Sequence, residues 1–160
     1  MDNYYRSSEQ APYHLSVGAV IINDQHQVLC HYFKSLTYAG QTLNDFYILM
    51  RETVERNETL EQAIQRGCME EMGAGVEIID FLGPIVSHHH DRGFLAEKTT
   101  LYFKCKLISQ DDDLRAADDP EKDSQIVWRD IDELIARMST QSKGLDRTDL
   151  DESAILKRLR

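Results

Sequence analysis

The chain is predicted to fold as an α/β domain built on a mixed β-sheet. Apolar residues alternate with period two in the N-terminal third and again around residue 100, and an amphipathic helical pattern lies between these stretches. The length of 160 residues supports one core but not two ordinary ones. The order of strands and helices, with no internal repeat, fits a mixed sheet carrying helices.

Leu15, Val17, Ala19 and Ile21 alternate with Ser16, Gly18, Val20 and Ile22, which predicts a buried strand. Asn23 to His26 supply turn chemistry, and Gln27 to Phe33 return as the second strand of a hairpin. A polar stretch through Gly40 to Asn44 leads into a third strand, Phe46 to Met50. Thr59 and Gln62 fit a capping box, so a helix is expected over 59–72, ending at Gly73 and Gly75. Val76 to Val86 and Lys98 to Ile108 are strand-like, with SHHHDRGFLAE as the loop between them. The run DDDLRAADDPEKD contains Pro120 and has no periodic apolar face, so it is expected as a solvated loop. Gln125 to Arg129 form a short strand with the only tryptophan, Trp128; Asp130 caps a helix over IDELIARM, and a last helix is expected over 149–159.

Composition narrows the function. A formal net charge of -10 repels nucleic-acid phosphates, so no nucleic-acid partner is expected, and a small anionic substrate requires bridging cations. No run approaches the roughly 18 apolar residues of a membrane span, and the start MDNYYRSSEQ lacks the apolar centre of a signal peptide, so a soluble cytoplasmic protein is expected. Cys30, Cys68 and Cys105 share no metal-like spacing and are expected as reduced core thiols.

On a helical wheel Leu60, Ile64, Cys68 and Met72 form the buried stripe of the 59–72 helix, and Glu71 projects within it. A buried carboxylate there needs a basic side chain or a cation, because burying it unpaired is costly. Glu70 lies at the edge of the same face, and adjacent carboxylates with convergent oxygens suit hard divalent cations.

Residues 52–74, ETVERNETLEQAIQRGCMEEMGA, resemble the signature of the Nudix family, G-x5-E-x7-R-E-U-x-E-E-x-G-U, where U is aliphatic. Glu58, Arg66, Glu70, Glu71 and Gly73 fall on motif positions, and the similarity covers about residues 14–138. The resemblance implies a Nudix-type α/β/α sandwich with an N-terminal arm over 1–13, a Nudix domain over 14–138 and a C-terminal helical extension over 139–160. It implies a Mg²⁺- or Mn²⁺-dependent hydrolase that cleaves the pyrophosphate bond of a nucleoside diphosphate linked to another moiety. By the same resemblance Glu70 and Glu71 are catalytic metal ligands, Glu58 and Arg66 form an ion pair fixing the loop to the helix, and Glu97 is a candidate additional catalytic carboxylate with Asp91 behind it.

The box departs from the family at two places. Glu52 stands where the family has its first glycine, and Gly67 stands where it has the glutamate after the arginine. Both family positions lie near the metal, so Glu52 is a candidate replacement ligand that reaches into the space Gly67 vacates. The alternative is a catalytically inactive Nudix-like module that binds a nucleotide or a protein. His88 and His90, on one side of an extended segment, are candidates for a transition metal or a base. Tyr32, Phe33, Phe46 and Tyr47 are candidates for stacking or core packing, and Tyr4, Tyr5 and Tyr13 mark the N-terminal segment as a candidate homodimer arm.

Overall fold

Strand β1 (Tyr13–Ile22) divides the molecule into two apolar layers. Val17, Ala19 and Ile21 face one helix, α1 (Leu60–Met72), while Val20 faces the opposite layer with α2 (Ile131–Gln141) and α3 (Ser153–Leu156). This is the alternation of a strand buried on both sides. The computed structural model describes residues 5–38, 40–145 and 147–159, and within them the expected α/β/α sandwich is present.

The other strands are β2 (Gln27–Tyr38), β3 (Gln41–Ile48), β4 (Met50–Thr53), β5 (Ala74–Asp91), β6 (Phe94–Gln110) and β7 (Gln125–Asp130). They form one sheet with the main path β3-β2-β1-β6-β5, in which β4 joins β1 and β7 joins β2. β1 and β6 run parallel and every other pair is antiparallel, so the sheet is mixed. β1 meets β2 only around Ile21 and Ile22, whereas Ser16 to Ala19 pair with β4. The sheet forks there, and α1 packs beside the fork against β4 and β1.

Helix α1 forms as its sequence predicts. The Thr59 side chain accepts from the Gln62 backbone and Gln62 answers to the Thr59 backbone, while Gly73 ends the helix in the left-handed conformation at φ 63°. A Cβ at Gly73 would collide with the Asp111 carbonyl, a second reason for glycine there. Ile64, Cys68 and Met72 are fully buried.

Three expectations are corrected. The 87–97 segment is a β-hairpin continuing β5 and β6, because Arg92 and Gly93 both adopt positive φ, the geometry of a tight two-residue turn. β2 and β3 extend through the polar stretch to Tyr38 and Gln41, as cross-strand pairs Leu36 with Leu43 and Thr37 with Thr42 sustain the ladder. The continuous helix expected over 149–159 breaks into a 3₁₀ turn at Thr148–Leu150, the short α3 and a second 3₁₀ turn at Lys157–Leu159. Asp151 turns its carboxylate back to the Ser153 backbone and hydroxyl, and Asp149 and Glu152 are drawn into the sheet, which interrupts the helix.

The cysteines are buried and unbridged, and no helix among the described residues is long and apolar enough to cross a membrane. Tyr5 packs against the α1-side core and Tyr13 is exposed, while Tyr4 lies outside the described residues.

Candidate functional site

The loop before α1 is tied to the helix through Arg66. Its guanidinium donates to both carboxylate oxygens of Glu58, at 2.7 and 3.0 Å, and to the Thr53 carbonyl at 2.9 Å. Glu70, one helical turn on, lies 3.3 Å from Arg66 Nη1, and its side chain is 43% exposed. Fixing the loop in this way holds β4, and with it Glu52, against the middle of the helix.

Glu52 and Gly67 are in direct contact across that junction. A Cβ built at Gly67 would lie 2.7 Å from Glu52 Cβ and 2.9 Å from Met50 Sδ, closer than real Cβ atoms approach. The side chain of Glu52 therefore fills the volume that any residue but glycine would need. Its Oε1 accepts from the Thr53 backbone at 2.9 Å and its Oε2 lies 3.5 Å from Arg66.

Glu52, Glu71 and Asp119 bring one carboxylate oxygen each to within 4.8 Å of one another. The three come from β4, α1 and the β6–β7 loop, and Glu71 and Asp119 are buried. Ionised together at such a separation, each pair repels by about 3 kcal/mol at an effective dielectric of 20. Burial pushes the Glu71 carboxyl well above its usual range, and Glu121, Glu52 and Asp119 add to the shift. Burial likewise raises Glu52, against the pull of Arg66. Glu121 is raised to about 7 by burial and by its hydrogen bond to Asp119. A hard divalent cation is the ligand these oxygens fit, since it supplies the positive charge that the cluster lacks.

Glu71 is held by a buried hydrogen-bonded chain. Arg115 donates to Ser124 Oγ at 2.9 Å, Ser124 lies 2.7 Å from His31 Nδ1, and His31 Nε2 lies 2.8 Å from Glu71 Oε2. Arginine has no acceptor, so the Ser124 hydroxyl accepts from Arg115 and the imidazole is clamped between Ser124 and Glu71. Burial and the nearby Arg115 and Arg51 lower His31 to about 3, which keeps the ring neutral. Glu71 is thereby held in place beside Glu52 and Asp119, the arrangement by which a neighbouring histidine orients a ligating carboxylate.

Opposite the carboxylates stands a basic wall. Asp149 Oδ2 lies 3.0 Å from Arg51 Nη1, 3.4 Å from Lys98 Nζ and 2.5 Å from Arg147 Nη2. Burial opposes ionisation of Asp149, but Arg147, Arg51 and Lys98 outweigh it and hold the carboxyl far below its ordinary range. Glu152, which accepts from the Leu49 backbone and the Tyr102 hydroxyl, lies 3.8 Å from Arg51 Nε. Burial and Arg51 lower Lys98 to about 8 despite Asp149. Two adjoining cavities, of about 270 and 280 Å³, share Arg51, Glu71, Lys98 and Glu121 in their walls, so the acidic cluster and the basic wall open on one space.

Of the residues singled out in the sequence, the structure brings Glu52 and Glu71 together and turns Glu70 toward Arg66. Glu97 is exposed on β6, its backbone paired with Pro12, and strand alternation sends its side chain away from the face that Lys98 presents to the cavity. Asp91 sits at the hairpin tip, 3.4 Å from Arg92. His88 and His90 are exposed on that hairpin, and His89 is partly buried. Phe33 and Phe46 line the cavity of about 270 Å³, whereas Tyr32 and Tyr47 pack on the α2 side with ring centroids 5.1 Å apart. Sequence reasoning missed Asp119: the acidic run is largely exposed, as expected, but Asp119 is buried, in a loop held by Arg115, which donates to the Glu71, Glu121 and Ser124 carbonyls.

The model of the NUDIX domain family matches residues 12–148, and the chain belongs to that family. A NUDIX hydrolase from Nitrosomonas europaea shares the fold with a TM-score of 0.62 and 19% identity, over 90% of this chain and 89% of that one. A MutT protein from Methanosarcina mazei Go1 does so with a TM-score of 0.61 and 16% identity, over 94% and 95%. No curated protein shows significant similarity in sequence.

Proposed function

We propose that this protein is a divalent-metal-dependent hydrolase acting on the pyrophosphate bond of a nucleoside diphosphate linked to another moiety. The observation that carries the reading is the placement of three convergent carboxylates, Glu52, Glu71 and Asp119, across a shared cavity from Arg51 and Lys98. Mg²⁺ or Mn²⁺ held by those oxygens would supply Lewis-acid polarisation of a phosphoryl group and activation of water. Arg51 and Lys98 offer fixed donors to the phosphate oxygens, and their charge opposes the negative charge that builds up as the bond breaks. The chain Arg115, Ser124, His31 holds Glu71 in place, so its geometry is set before substrate arrives.

A second reading, a binding module without turnover, is favoured by one observation: the box lacks the glutamate that Gly67 replaces. One screen separates the two. The protein is incubated with nucleoside diphosphate sugars, ADP-ribose, dinucleoside polyphosphates and nucleoside triphosphates in Mg²⁺ or Mn²⁺. Release of a nucleoside monophosphate is expected; thermal stabilisation by the same compounds without any release would overturn the hydrolase in favour of the module.

A further inference from the structure

The cavity of about 270 Å³ is charged at one end and apolar at the other. Where it meets the acidic cluster its walls are charged, with Arg51, Lys98 and Glu71. Away from the cluster they become apolar, with Phe33, Leu36, Leu43, Phe46, Ile48 and Leu150. These apolar side chains belong to a cluster of their own, separate from the two cores that flank the sheet. The Arg147 guanidinium lies 5.6 Å from the centre of the Tyr38 ring, and both residues line the cavity, so the C-terminal segment and the β2–β3 hairpin meet across it.

Two features define what fits. Among the described residues lining the cavity there is no Asn, Gln, Ser or Thr, and apart from the Tyr38 hydroxyl the polar side chains of its wall are engaged elsewhere: Arg51, Lys98 and Arg147 meet at Asp149, Glu71 pairs with His31 and Glu121 with Asp119. The edge of a nucleobase is read by placed donors and acceptors, and a site built with them rejects an analogue lacking the matching group by about 10⁴-fold or more. An apolar wall discriminates through area and shape, at about 10- to 200-fold per methylene. The volume of about 270 Å³ lies near the lower end of the usual range for ligand pockets, roughly 300 Å³, which suits one compact group. At the charged end Arg51, Lys98 and Arg147 converge on Asp149, so three cations stand where the cavity adjoins the acidic cluster.

We propose that this cavity takes a compact apolar group carried on the substrate's diphosphate, and selects it by apolar area rather than by a hydrogen-bonding edge. The inference rests on the hydrolase reading, which places the diphosphate between the acidic cluster and the basic wall. A ring system and a branched hydrocarbon share the required chemistry, and the test separates them.

Dissociation constants are measured by calorimetry in Mg²⁺ for inorganic pyrophosphate, the four common nucleoside diphosphates, a phenyl diphosphate and a branched five-carbon alkyl diphosphate. At least one of the organic classes is expected to bind about tenfold or more tighter than pyrophosphate, with the four nucleoside diphosphates within about tenfold of one another. Phe33→Ser and Leu36→Asn, at partly exposed positions, are expected to erase that advantage while leaving pyrophosphate binding unchanged. Pyrophosphate bound as tightly as every organic diphosphate, or one nucleoside diphosphate preferred more than about a hundredfold over the others, would overturn the pocket assignment alone. Failure of pyrophosphate and all the organic diphosphates to bind would overturn the hydrolase reading along with it.

Discussion

Glu52 occupies the volume that a side chain at position 67 would need: an ideal Cβ on Gly67 falls 2.7 Å from Glu52 Cβ. The two departures from the family box are therefore one packing unit. Gly67→Ala is expected to destabilise the protein by about 1–3 kcal/mol through overpacking, although alanine gains about 1 kcal/mol of helix propensity over glycine. In a Glu52→Gly background the same change is expected to stabilise. Chemical denaturation of the four proteins of this cycle gives the coupling, and additive effects would show that the two positions are independent.

His31→Ala removes the hydrogen-bond partner that holds Glu71 and opens a cavity among buried groups. A loss of about 2–4 kcal/mol is expected, with Mn²⁺ affinity reduced about 10- to 100-fold. Denaturation combined with Mn²⁺ titration checks both, and unchanged metal affinity in a destabilised protein would limit His31 to a packing role.

Asp149→Asn leaves Arg51, Lys98 and Arg147 facing one another without the carboxylate that gathers them. Breaking a buried pair from one side typically costs about 3–5 kcal/mol. The folded carboxyl is held below its ordinary value, so its contribution is full above the unfolded pKa of about 3.9 and is lost as the pH falls below it. The stability gap between wild type and variant, followed by urea denaturation at stepped pH, is therefore expected to shrink in strong acid.

His14 lies behind Glu52 with its ring 3.0 Å from the Thr53 hydroxyl, and burial, then Lys98, His89 and Arg6, lower it to about 4. The unfolded chain takes up this proton near pH 6.5 and the folded one resists, so acidification from about 6.5 to about 4 costs stability at this residue. His14→Gln is expected to lose less stability than wild type over that window, as followed by urea denaturation at stepped pH. Parallel pH profiles for the two proteins would contradict the burial argument.

What could be read from the sequence was local. The capping box at Thr59 and the Ile64, Cys68, Met72 stripe gave α1 its bounds, and the position of Glu71 within that stripe announced a buried carboxylate in need of a partner. The partners themselves were not legible. His31 reaches Glu71 only because the sheet forks between β2 and β4, a property of strand pairing that no single segment encodes. Asp119 shares its composition with the exposed acids around it, and only the grip of Arg115 on the surrounding carbonyls turns it inward. The basic wall depends on Asp149, whose neighbours looked helical while its side chain had a stronger claim elsewhere.

The central claim is that Glu52 has taken up the ligand role left open at Gly67, beside Glu71 and Asp119. Mn²⁺ affinity and hydrolytic turnover of Glu52→Ala test it most directly. A drop of about tenfold or more in affinity, with turnover falling alongside, is the predicted result; a variant that binds Mn²⁺ and turns over as wild type does would contradict it.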